Sequence, residues 1–168
     1  MFDDASSTSD ESGISPSRTL ESYTSYLLWR VTRHAEEQIA DVLAPFRLRL
    51  LHLCVLRMLA TGSQTQTALA KPIRANRMMI TRLVNDIEEA GLVHRTPISR
   101  NRRAYNVTLT PQGTSVLAQT DTLVGVVEAS ILAPFSIDEQ TQFRAMLLFL
   151  IEAYSRMEPA ANRREEGL

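Results

Sequence analysis

Hydrophobic residues recur at helical spacing along most of the chain, and prolines and glycines punctuate the pattern. The first apolar face predicts a helix that begins near Ser17 or Thr19 and ends at about Leu43. Pro45 interrupts the pattern there. A second apolar run predicts a helix over residues 47–59. Two amphipathic helices are therefore expected before the middle of the chain.

The next two segments combine a turn with a helix whose outer face is polar. A short helix is expected in TQTALAKP, where Pro72 opens a turn. Asn76 then caps a helix in NRMMITRLVNDIEEAG, and Gly91 ends it. The inner positions of this helix keep the helical period, so the other positions face outward. The outward residues are Arg77, Met78, Thr81, Arg82 and Asn85.

Beyond Gly91 the pattern changes from a helical period to alternation. LVHRT and AYNVTL are expected to pair as an antiparallel hairpin around PISRNRR, because they alternate or are rich in β-branched and aromatic residues. TPQG then restarts a helix, with Thr110 as its cap, that runs to about residue 133. Ser136 caps a last helix that ends at about Met157.

The order of helix, helix, short turn, helix and β-hairpin predicts a winged helix-turn-helix. The predicted fold class is mainly α with a small β-hairpin wing, flanked by N- and C-terminal helices. The last helix is apolar on nearly all sides, since Leu148 and Phe149 widen its stripe beyond one face. Such a helix needs burial on two sides. We expect the terminal helices to form a subunit interface, and the alternative is a core helix of a monomer.

Composition narrows the class of protein. With 168 residues, of which 44% are hydrophobic, the chain can form a folded domain with a real core. No apolar run approaches the roughly 20 residues that a membrane helix needs. The start MFDDASSTSDES lacks the basic and apolar regions of a signal peptide. These features predict a cytoplasmic protein with no membrane partner.

The sequence lacks the usual catalytic and metal-binding motifs. It has no phosphate-binding glycine loop, nucleophile elbow or paired carboxylates, so no enzymatic activity is expected. Its three histidines are scattered, which argues against a metal site, and no cofactor is expected. Cys54, the single cysteine, lies in an apolar run. A buried neutral thiol is the expected state there, and a redox switch is the less favoured alternative.

Charge is concentrated in the middle of the chain. The formal net charge is −1, yet residues 71–103 contain eight Lys and Arg residues against three Asp and Glu residues. A basic centre in a nearly neutral chain indicates contact with a polyanion. The opening segment is acidic instead and is expected to form a disordered tail.

These patterns divide the chain into five segments, with the basic centre inside the winged helix-turn-helix. The predicted segments are a disordered acidic tail (1–16), an N-terminal dimerisation helix (17–45), a winged helix-turn-helix DNA-binding domain (46–110), C-terminal dimerisation helices (111–158) and a flexible tail (159–168).

The central segment resembles the MarR family of bacterial transcription regulators. The resemblance covers about residues 50–117 and is carried by LHLCVLRMLA, ALAKPIRANRMMITRLVNDIEEAGLVHR and NRRAYNVTLTPQG. It implies a two-fold homodimer that forms through the terminal helices and binds double-stranded DNA. The implied function is a repressor that binds a palindromic operator and is released by a small ligand. The alternative is a winged-helix module that binds another protein without specific DNA binding.

Departures from the family pattern concern the DNA-binding surface. Asn101 stands where the family usually has an aspartate two residues before its wing arginine, here Arg103. The ion pair that often braces the wing is therefore absent, and its bracing must come from elsewhere. Met78 and Met79 stand where small polar residues are usual, and the preceding turn KPIRAN is atypical. These changes bear on the operator sequence more than on DNA binding itself.

Two groups of side chains are predicted to contact DNA. On the outward face of the recognition helix, arginine matches the two acceptors of guanine and methionine packs on a thymine methyl group. The base-edge candidates are Arg77, Met78, Thr81 and Arg82, and the phosphate candidate is Asn85. The cationic hairpin tip is predicted to enter the neighbouring minor groove. Its arginines are Arg100, Arg102 and Arg103.

The resemblance also implies a small-molecule effector, often an aromatic acid, between the dimerisation helices and the DNA-binding lobe. The first helix offers aromatic walls and cations for a carboxylate. The candidate ligand residues are Tyr26, Trp29, Arg30, Arg33 and His34, with His52 on the second helix as a facing partner. The alternative is that these side chains pack at the dimer interface or face solvent.

Overall fold

The structure, a computed structural model, describes residues 20–98 and 101–157, except for the side chains of residues 101–104 and 157. The predicted tails (1–16 and 159–168) lie outside this range. The fold is mainly helical with a small antiparallel sheet, so the predicted fold class is confirmed. The elements are α1 (Thr24–Leu43), a 3-10 turn (Ala44–Phe46), α2 (Leu50–Leu59), β1 (Gln64–Thr65), α3 (Gln66–Ala70), α4 (Arg77–Glu89), β2 (Val93–Ile98), β3 (Asn101–Leu109), α5 (Pro111–Leu132) and α6 (Ile137–Met157).

The first two helices differ from the predicted ones at their starts. A turn precedes α1, in which the Tyr23 N–H donates to Leu20 O at 3.0 Å, and the predicted start near residues 17–19 lies outside the described residues. Arg47 has a left-handed conformation, with φ of 54°, that a right-handed helix does not include. The prediction that the second helix begins at residue 47 was therefore wrong, because α2 begins at Leu50.

Side-chain caps fix the starts of the later helices. The Asn76 side chain accepts a hydrogen bond from the Met79 N–H at 2.8 Å and caps α4. Before α6, Glu139 Oε2 accepts from the backbone N–H and from the hydroxyl of Ser136, both at 2.8 Å. The sequence predicted Asn76 and Ser136 as helix starts, and both are confirmed.

The sheet has three strands in the order β1-β3-β2, where the sequence predicted a two-stranded hairpin. β2 and β3 pair in antiparallel register from Val93 opposite Leu109 to Pro97 opposite Tyr105, and the register shifts after Pro97. β1 pairs with the other edge of β3. Two residues are too few to show an alternating pattern, so the sequence gave no signal for β1. This strand attaches the segment before α3 to the base of the wing.

One hydrophobic core joins α4, the recognition helix of the winged helix-turn-helix, to the long helices α1 and α5. The C-terminal half of α1 contributes Ile39 and Leu43, and α5 contributes Leu117 and Val124. The inner faces of α2, α3, α4 and the sheet fill the space between them. Burying one large aliphatic side chain contributes about 1.5–3 kcal/mol. The core therefore fixes which face of α4 points outward.

Helix α5 is long and apolar enough to cross a membrane when judged by length and composition alone. This finding differs from the expectation that no apolar segment approaches that length. Leu117, Thr120 and Val124 of this helix are buried inside the protein. One face of α5 therefore packs into the core of the domain.

Among the described residues, two apolar helical surfaces are left uncovered. On α6, Leu148, Phe149 and Ile151 are exposed, Phe149 by 70%. On the N-terminal half of α1, Leu28 and Val31 belong to the apolar face of the first helix, yet Val31 is 54% exposed. Contiguous exposed apolar surface of this kind is typical of an interaction surface.

A single junction holds the end of α4, the start of β2 and the start of α5 together. The Thr110 N–H donates to Leu92 O at 3.0 Å. The Thr110 hydroxyl donates to Gly91 O at 2.7 Å and accepts from the Gly113 N–H at 2.9 Å, which confirms Thr110 as the cap of α5. Gly91 ends α4 with a positive φ of 72°. A Cβ on Gly113 would lie 2.0 Å from Leu92 O, so only glycine fits at that position.

We expect Gly113→Ala to destabilise the fold by about 3 kcal/mol, because the added methyl group must displace the Leu92 carbonyl. The matched control is Gly125→Ala in the same helix, where a Cβ meets no atom within 4 Å. That change should be neutral or stabilise by up to about 1 kcal/mol. Urea unfolding followed by circular dichroism measures both variants. Equal unfolding midpoints for Gly113→Ala and the wild type would contradict the role of the junction.

Candidate nucleic-acid interface

The predicted DNA-contacting residues of α4 share one exposed surface. They lie along a shallow groove of about 610 Å³ that also includes two acidic residues from the second half of the helix. The lining residues are Arg77, Met78, Thr81, Arg82, Asn85, Asp86 and Glu89. The cationic part of the groove is therefore formed by the first two turns of α4.

The first turn of α4 combines several features that suit contact with DNA. The N–H groups at a helix start carry partial positive charge, and Arg77 adds a full charge at the first helical position. Met78 follows with 79% of its surface exposed. The Thr81 hydroxyl donates to Arg77 O at 2.7 Å, so Thr81 presents its methyl group and its acceptor lone pairs. This surface offers both cationic and apolar contacts to base edges.

The base of the wing is tied to α4 by Arg95 of β2. Its Nη1 lies 2.5 Å from Glu88 Oε2, and its backbone N–H donates to Glu88 Oε1 at 3.1 Å. The two side chains are largely screened from solvent, with exposures of 21% for Arg95 and 35% for Glu88. This ion pair braces the wing from α4. The sequence required bracing from elsewhere but did not reveal this pair, because it forms across the turn at Gly91.

Asn85 takes part in the same bracing. Its Oδ1 accepts a hydrogen bond from Arg95 Nη2 at 2.6 Å. The predicted role for Asn85 was a phosphate contact. With the oxygen held by Arg95, the amide NH₂ is the group that would donate to a phosphate. Asn85 therefore links α4 to the wing, a role that the sequence pattern did not indicate.

The tip of the wing lies largely beyond the described residues. Arg100 is outside them, and for Arg102 and Arg103 the structure describes the backbone in β3 but not the side chains. β2 reaches Ile98 and β3 begins at Asn101, so the strands are longer than predicted and include five residues of the predicted loop PISRNRR, among them Arg102 and Arg103. The predicted contacts of the three tip arginines remain predictions.

The aromatic and cationic residues of α1 form a ladder on one exposed face. The Tyr26 and Trp29 rings stack with their centroids 5.9 Å apart. Arg30 lies over the Tyr26 ring and Arg33 over the Trp29 ring, each 5.9 Å from the centroid. These four predicted ligand residues are therefore neighbours.

A groove of about 480 Å³ separates α1 from the end of α5. Two of the predicted ligand residues, Arg30 and His34, line it, whereas Tyr26, Trp29 and Arg33 do not. His34 Nε2 lies 2.7 Å from Gln38 Nε2, so these two polar side chains interact inside the groove. The other lining residues are Leu27, Val31, Ser130, Ile131 and Pro134. The groove is mainly apolar with a cation at its side.

His52 does not belong to this surface. Its side chain is buried between α2 and α4, with 2% of the residue exposed. Nδ1 accepts a hydrogen bond from the Arg49 N–H at 3.1 Å, and Nε2 lies 3.3 Å from Asp86 Oδ2. Both ring nitrogens are thus engaged within the protein. The prediction that His52 faces a ligand bound on α1 does not fit this position.

Cys54 is partly buried, and burial raises the pKa of its thiol above the ordinary value. A thiol of raised pKa is neutral at physiological pH and reacts slowly with oxidants. Residues 20–98 and 101–157 contain no group of three or more His, Cys, Asp or Glu side chains arranged to hold a metal ion.

Comparison with known proteins finds a family model that matches the central segment of the chain. The MarR family model matches residues 50–105, which run from α2 into β3 and include the recognition helix and most of the wing. The predicted resemblance to the MarR family is confirmed over this segment. MarR-family regulators bind DNA and are not enzymes, which agrees with the predicted class.

Relatives and solved structures of MarR-like proteins extend the match beyond residues 50–105. The HTH-type transcriptional repressor Rv2887 of Mycobacterium tuberculosis is 28% identical over 123 residues, which cover 73% of this chain and 88% of that protein. The transcriptional repressor CouR, solved with a 23-mer DNA duplex, is 25% identical, with a TM-score of 0.74 over 79% of this chain and 94% of that one. A probable regulator from Pseudomonas aeruginosa, 23% identical, shares the fold with a TM-score of 0.72 over 78% and 98%.

Arg95→Met is expected to weaken binding to an operator duplex about five- to tenfold, because the wing loses its hydrogen bonds to Glu88 and Asn85 and must be ordered on binding. Fluorescence anisotropy with a labelled duplex measures the affinity, and circular dichroism checks that the fold is kept. Arg156→Met is the control, since Arg156 pairs with Glu152 on exposed α6. If Arg95→Met bound the duplex as tightly as the wild type, the brace would have no role in DNA recognition.

Proposed function

We propose that this protein is a repressor that binds a palindromic operator as a homodimer and is released by a small aromatic acid. The observation that carries the proposal is the exposed cationic start of α4, with Arg77 and Arg82 beside a wing that is braced onto the same helix. The names of Rv2887 and CouR as repressors support the direction of regulation.

The first two turns of α4 enter the major groove in this proposal. Arg77 and Arg82 donate to guanine acceptors, and Met78 packs against a thymine methyl group. Phosphate contacts supply most of the affinity, because each one releases condensed counterions. The wing arginines Arg100, Arg102 and Arg103 add contacts in the adjacent minor groove. A cytoplasmic location is proposed on the same basis, since a DNA target must be accessible.

Dimerisation follows from the uncovered apolar surfaces of α6 and of the N-terminal half of α1. Phe149 and Val31 are more than half exposed in a single subunit. A second copy that packs on these helices buries both surfaces and relates the two recognition helices by a two-fold axis. Such a dimer reads an inverted repeat with half-sites about one duplex turn apart.

We expect duplexes selected from random DNA by the purified protein to contain an inverted repeat. On such a duplex, Arg77→Ala should weaken binding about tenfold or more, because a guanine contact is lost. Arg103→Ala should make the negative slope of the logarithm of the binding constant against the logarithm of the salt concentration less steep by about 1, because one phosphate contact is lost. Electrophoretic mobility shifts at several salt concentrations measure both. Selection without enrichment, or equal binding to scrambled DNA, would instead favour a protein-binding module.

The proposed effector site is the groove between α1 and α5. Its apolar wall accommodates an aromatic ring, and Arg30 provides a cation for a carboxylate. His34 adds a second polar group at the same wall. The stacked Tyr26 and Trp29 rings lie on the adjoining face and hold Arg30 through its contact with Tyr26. A ligand here would act on the two helices that set the spacing of the dimer.

Isothermal calorimetry with a panel of benzoic and phenolic acids tests this site. We expect at least one acid to bind and to weaken operator binding. Arg30→Met should abolish the heat, because Arg30 lines the groove. The matched control Arg33→Met should keep it, because Arg33 lies over Trp29 outside the groove. An absence of heat from all the acids, with operator binding unaffected, would contradict the proposal.

A further inference from the structure

A buried histidine connects the start of α2 to the recognition helix. His52 is the third residue of α2, and its Nδ1 accepts a hydrogen bond from the N–H of Arg49, the residue just before that helix. Its Nε2 lies 3.3 Å from Asp86 Oδ2 on α4. Only 3% of the His52 side chain is exposed. One ring therefore bridges two helices of the DNA-binding unit inside the core.

The partners of the ring fix its protonation state. Because Nδ1 accepts from a backbone N–H, it carries no proton, and the ring proton lies on Nε2, directed at Asp86. A protonated ring would place a second N–H on Nδ1, opposite the Arg49 N–H at 3.1 Å. Two donors would then face each other. The bridge in this geometry thus requires the neutral ring.

Asp86 belongs to the surface that is proposed to meet DNA. It lines the same groove as Arg77 and Arg82. Arg49 Nη2 lies 3.8 Å from Asp86 Oδ2, the same oxygen that faces His52. Asp86 is consequently held from the core side by the ring and from the solvent side by a guanidinium. Asp86 lies one turn after Arg82, so a change at His52 acts on the helix that carries the base-contacting residues.

We propose that His52 is a positioning residue for DNA recognition, whose neutral ring holds α4 through Asp86 and whose protonation weakens operator binding as the pH falls. This inference rests on the proposed function. His52 itself is buried and does not contact DNA.

The electrostatic surroundings of the ring favour its neutral form. Burial lowers the pKa of His52 and is the largest influence; the hydrogen bond and the charge of Asp86 raise it, and the charge of Arg49 lowers it. Within the described chain, Asp86 from α4 and Arg49 from the segment before α2 are the charged groups that act on the ring. The net effect is a pKa below the ordinary histidine value of about 6.5.

The sign of the pH effect follows from this direction. Between the ordinary pKa and the lowered one, the unfolded chain binds a proton at His52 and the folded protein does not. The contribution of the neutral ring to the free energy of unfolding is complete above a pH of about 6.5 and is lost as the pH falls toward the lowered pKa. Operator binding by the folded protein weakens at the lower end of this window, where the folded ring takes up its proton. Protonation of other groups near DNA strengthens phosphate contacts, so a loss of affinity on acidification would run against the general trend.

Two substitutions separate the two hydrogen bonds of the ring. His52→Asn keeps an acceptor near the position of Nδ1 and removes the group that reaches Asp86. His52→Gln reaches toward Asp86 with its amide NH₂ and removes the acceptor for the Arg49 N–H. Neither side chain titrates between pH 5 and 8. The pair therefore distinguishes a role in positioning α4 from a role in capping α2.

The experiment measures affinity for a duplex selected by the wild-type protein at pH values from 5 to 8, together with urea unfolding. We expect His52→Asn to bind about fivefold more weakly at pH 7.5, the equivalent of one lost hydrogen bond. His52→Gln should bind like the wild type in its folded fraction but unfold at lower urea. The affinity of the wild type relative to His52→Asn should fall as the pH approaches the lowered pKa of the folded ring, which lies below about 6.5.

Two results would overturn the inference. One is equal affinity of His52→Asn and the wild type at pH 7.5. The other is a constant ratio of their affinities over the whole pH range. If the wild-type protein selects and binds no duplex, the proposed function fails. In that case a proton NMR titration of the His52 ring, which needs no DNA, still tests the bridge: a pKa at or above the ordinary histidine value would contradict it.

Discussion

The contact between Gly113 and the Leu92 carbonyl is the constraint on which the arrangement of this protein depends. It brings the first turn of α5 against Leu92, the residue between the recognition helix and β2, at a separation that no side chain permits. Thr110 stabilises the same junction by donating hydrogen bonds to the carbonyl oxygens of Gly91 and Leu92. The recognition helix therefore cannot move relative to the start of α5 without breaking this junction. A change in the long helices reaches the DNA-binding surface as a movement of the whole unit.

The two halves of the molecule differ in how completely their apolar surfaces are covered. In the DNA-binding part of the chain, the inner faces of α2, α4 and β3 are buried in the core around Leu56, Ile87 and Val107. Helix α6 and the first half of α1 leave large apolar side chains such as Phe149 exposed. These exposed apolar surfaces are consistent with a second copy of the chain that covers them. The proposed effector groove lies in the same part of the molecule, between α1 and α5, where a ligand can alter the packing of these helices.

Features that depend on local sequence were predictable. The caps at Asn76, Thr110 and Ser136 follow from residue type and position, and the end of α4 at Gly91 follows from backbone freedom. The outward face of α4 follows from the helical period, because burial of its inner face leaves one orientation. The family resemblance rested on the same segment that the family model matches.

Features that depend on contacts between distant residues were not predictable. His52 was predicted as a facing partner for a ligand on α1, but its ring is buried against Asp86, 34 positions away. Asn85 was predicted only as a phosphate contact, and the hydrogen bond that its oxygen accepts from Arg95 across a turn gives it a further role in bracing the wing. The left-handed conformation of Arg47, which delays α2, has no signature in residue type. In each case the tertiary partner decides the role, and periodicity carries no information about it.

The central claim is that two copies of this chain hold their recognition helices about one duplex turn apart. The most direct test is the distance between nitroxide labels attached through Thr81→Cys in a Cys54→Ser background, measured by double electron-electron resonance on the free protein. The account predicts one main distance on the order of 34 Å. A sample without dipolar modulation, as expected for a monomer, or a distance far from one duplex turn would contradict it.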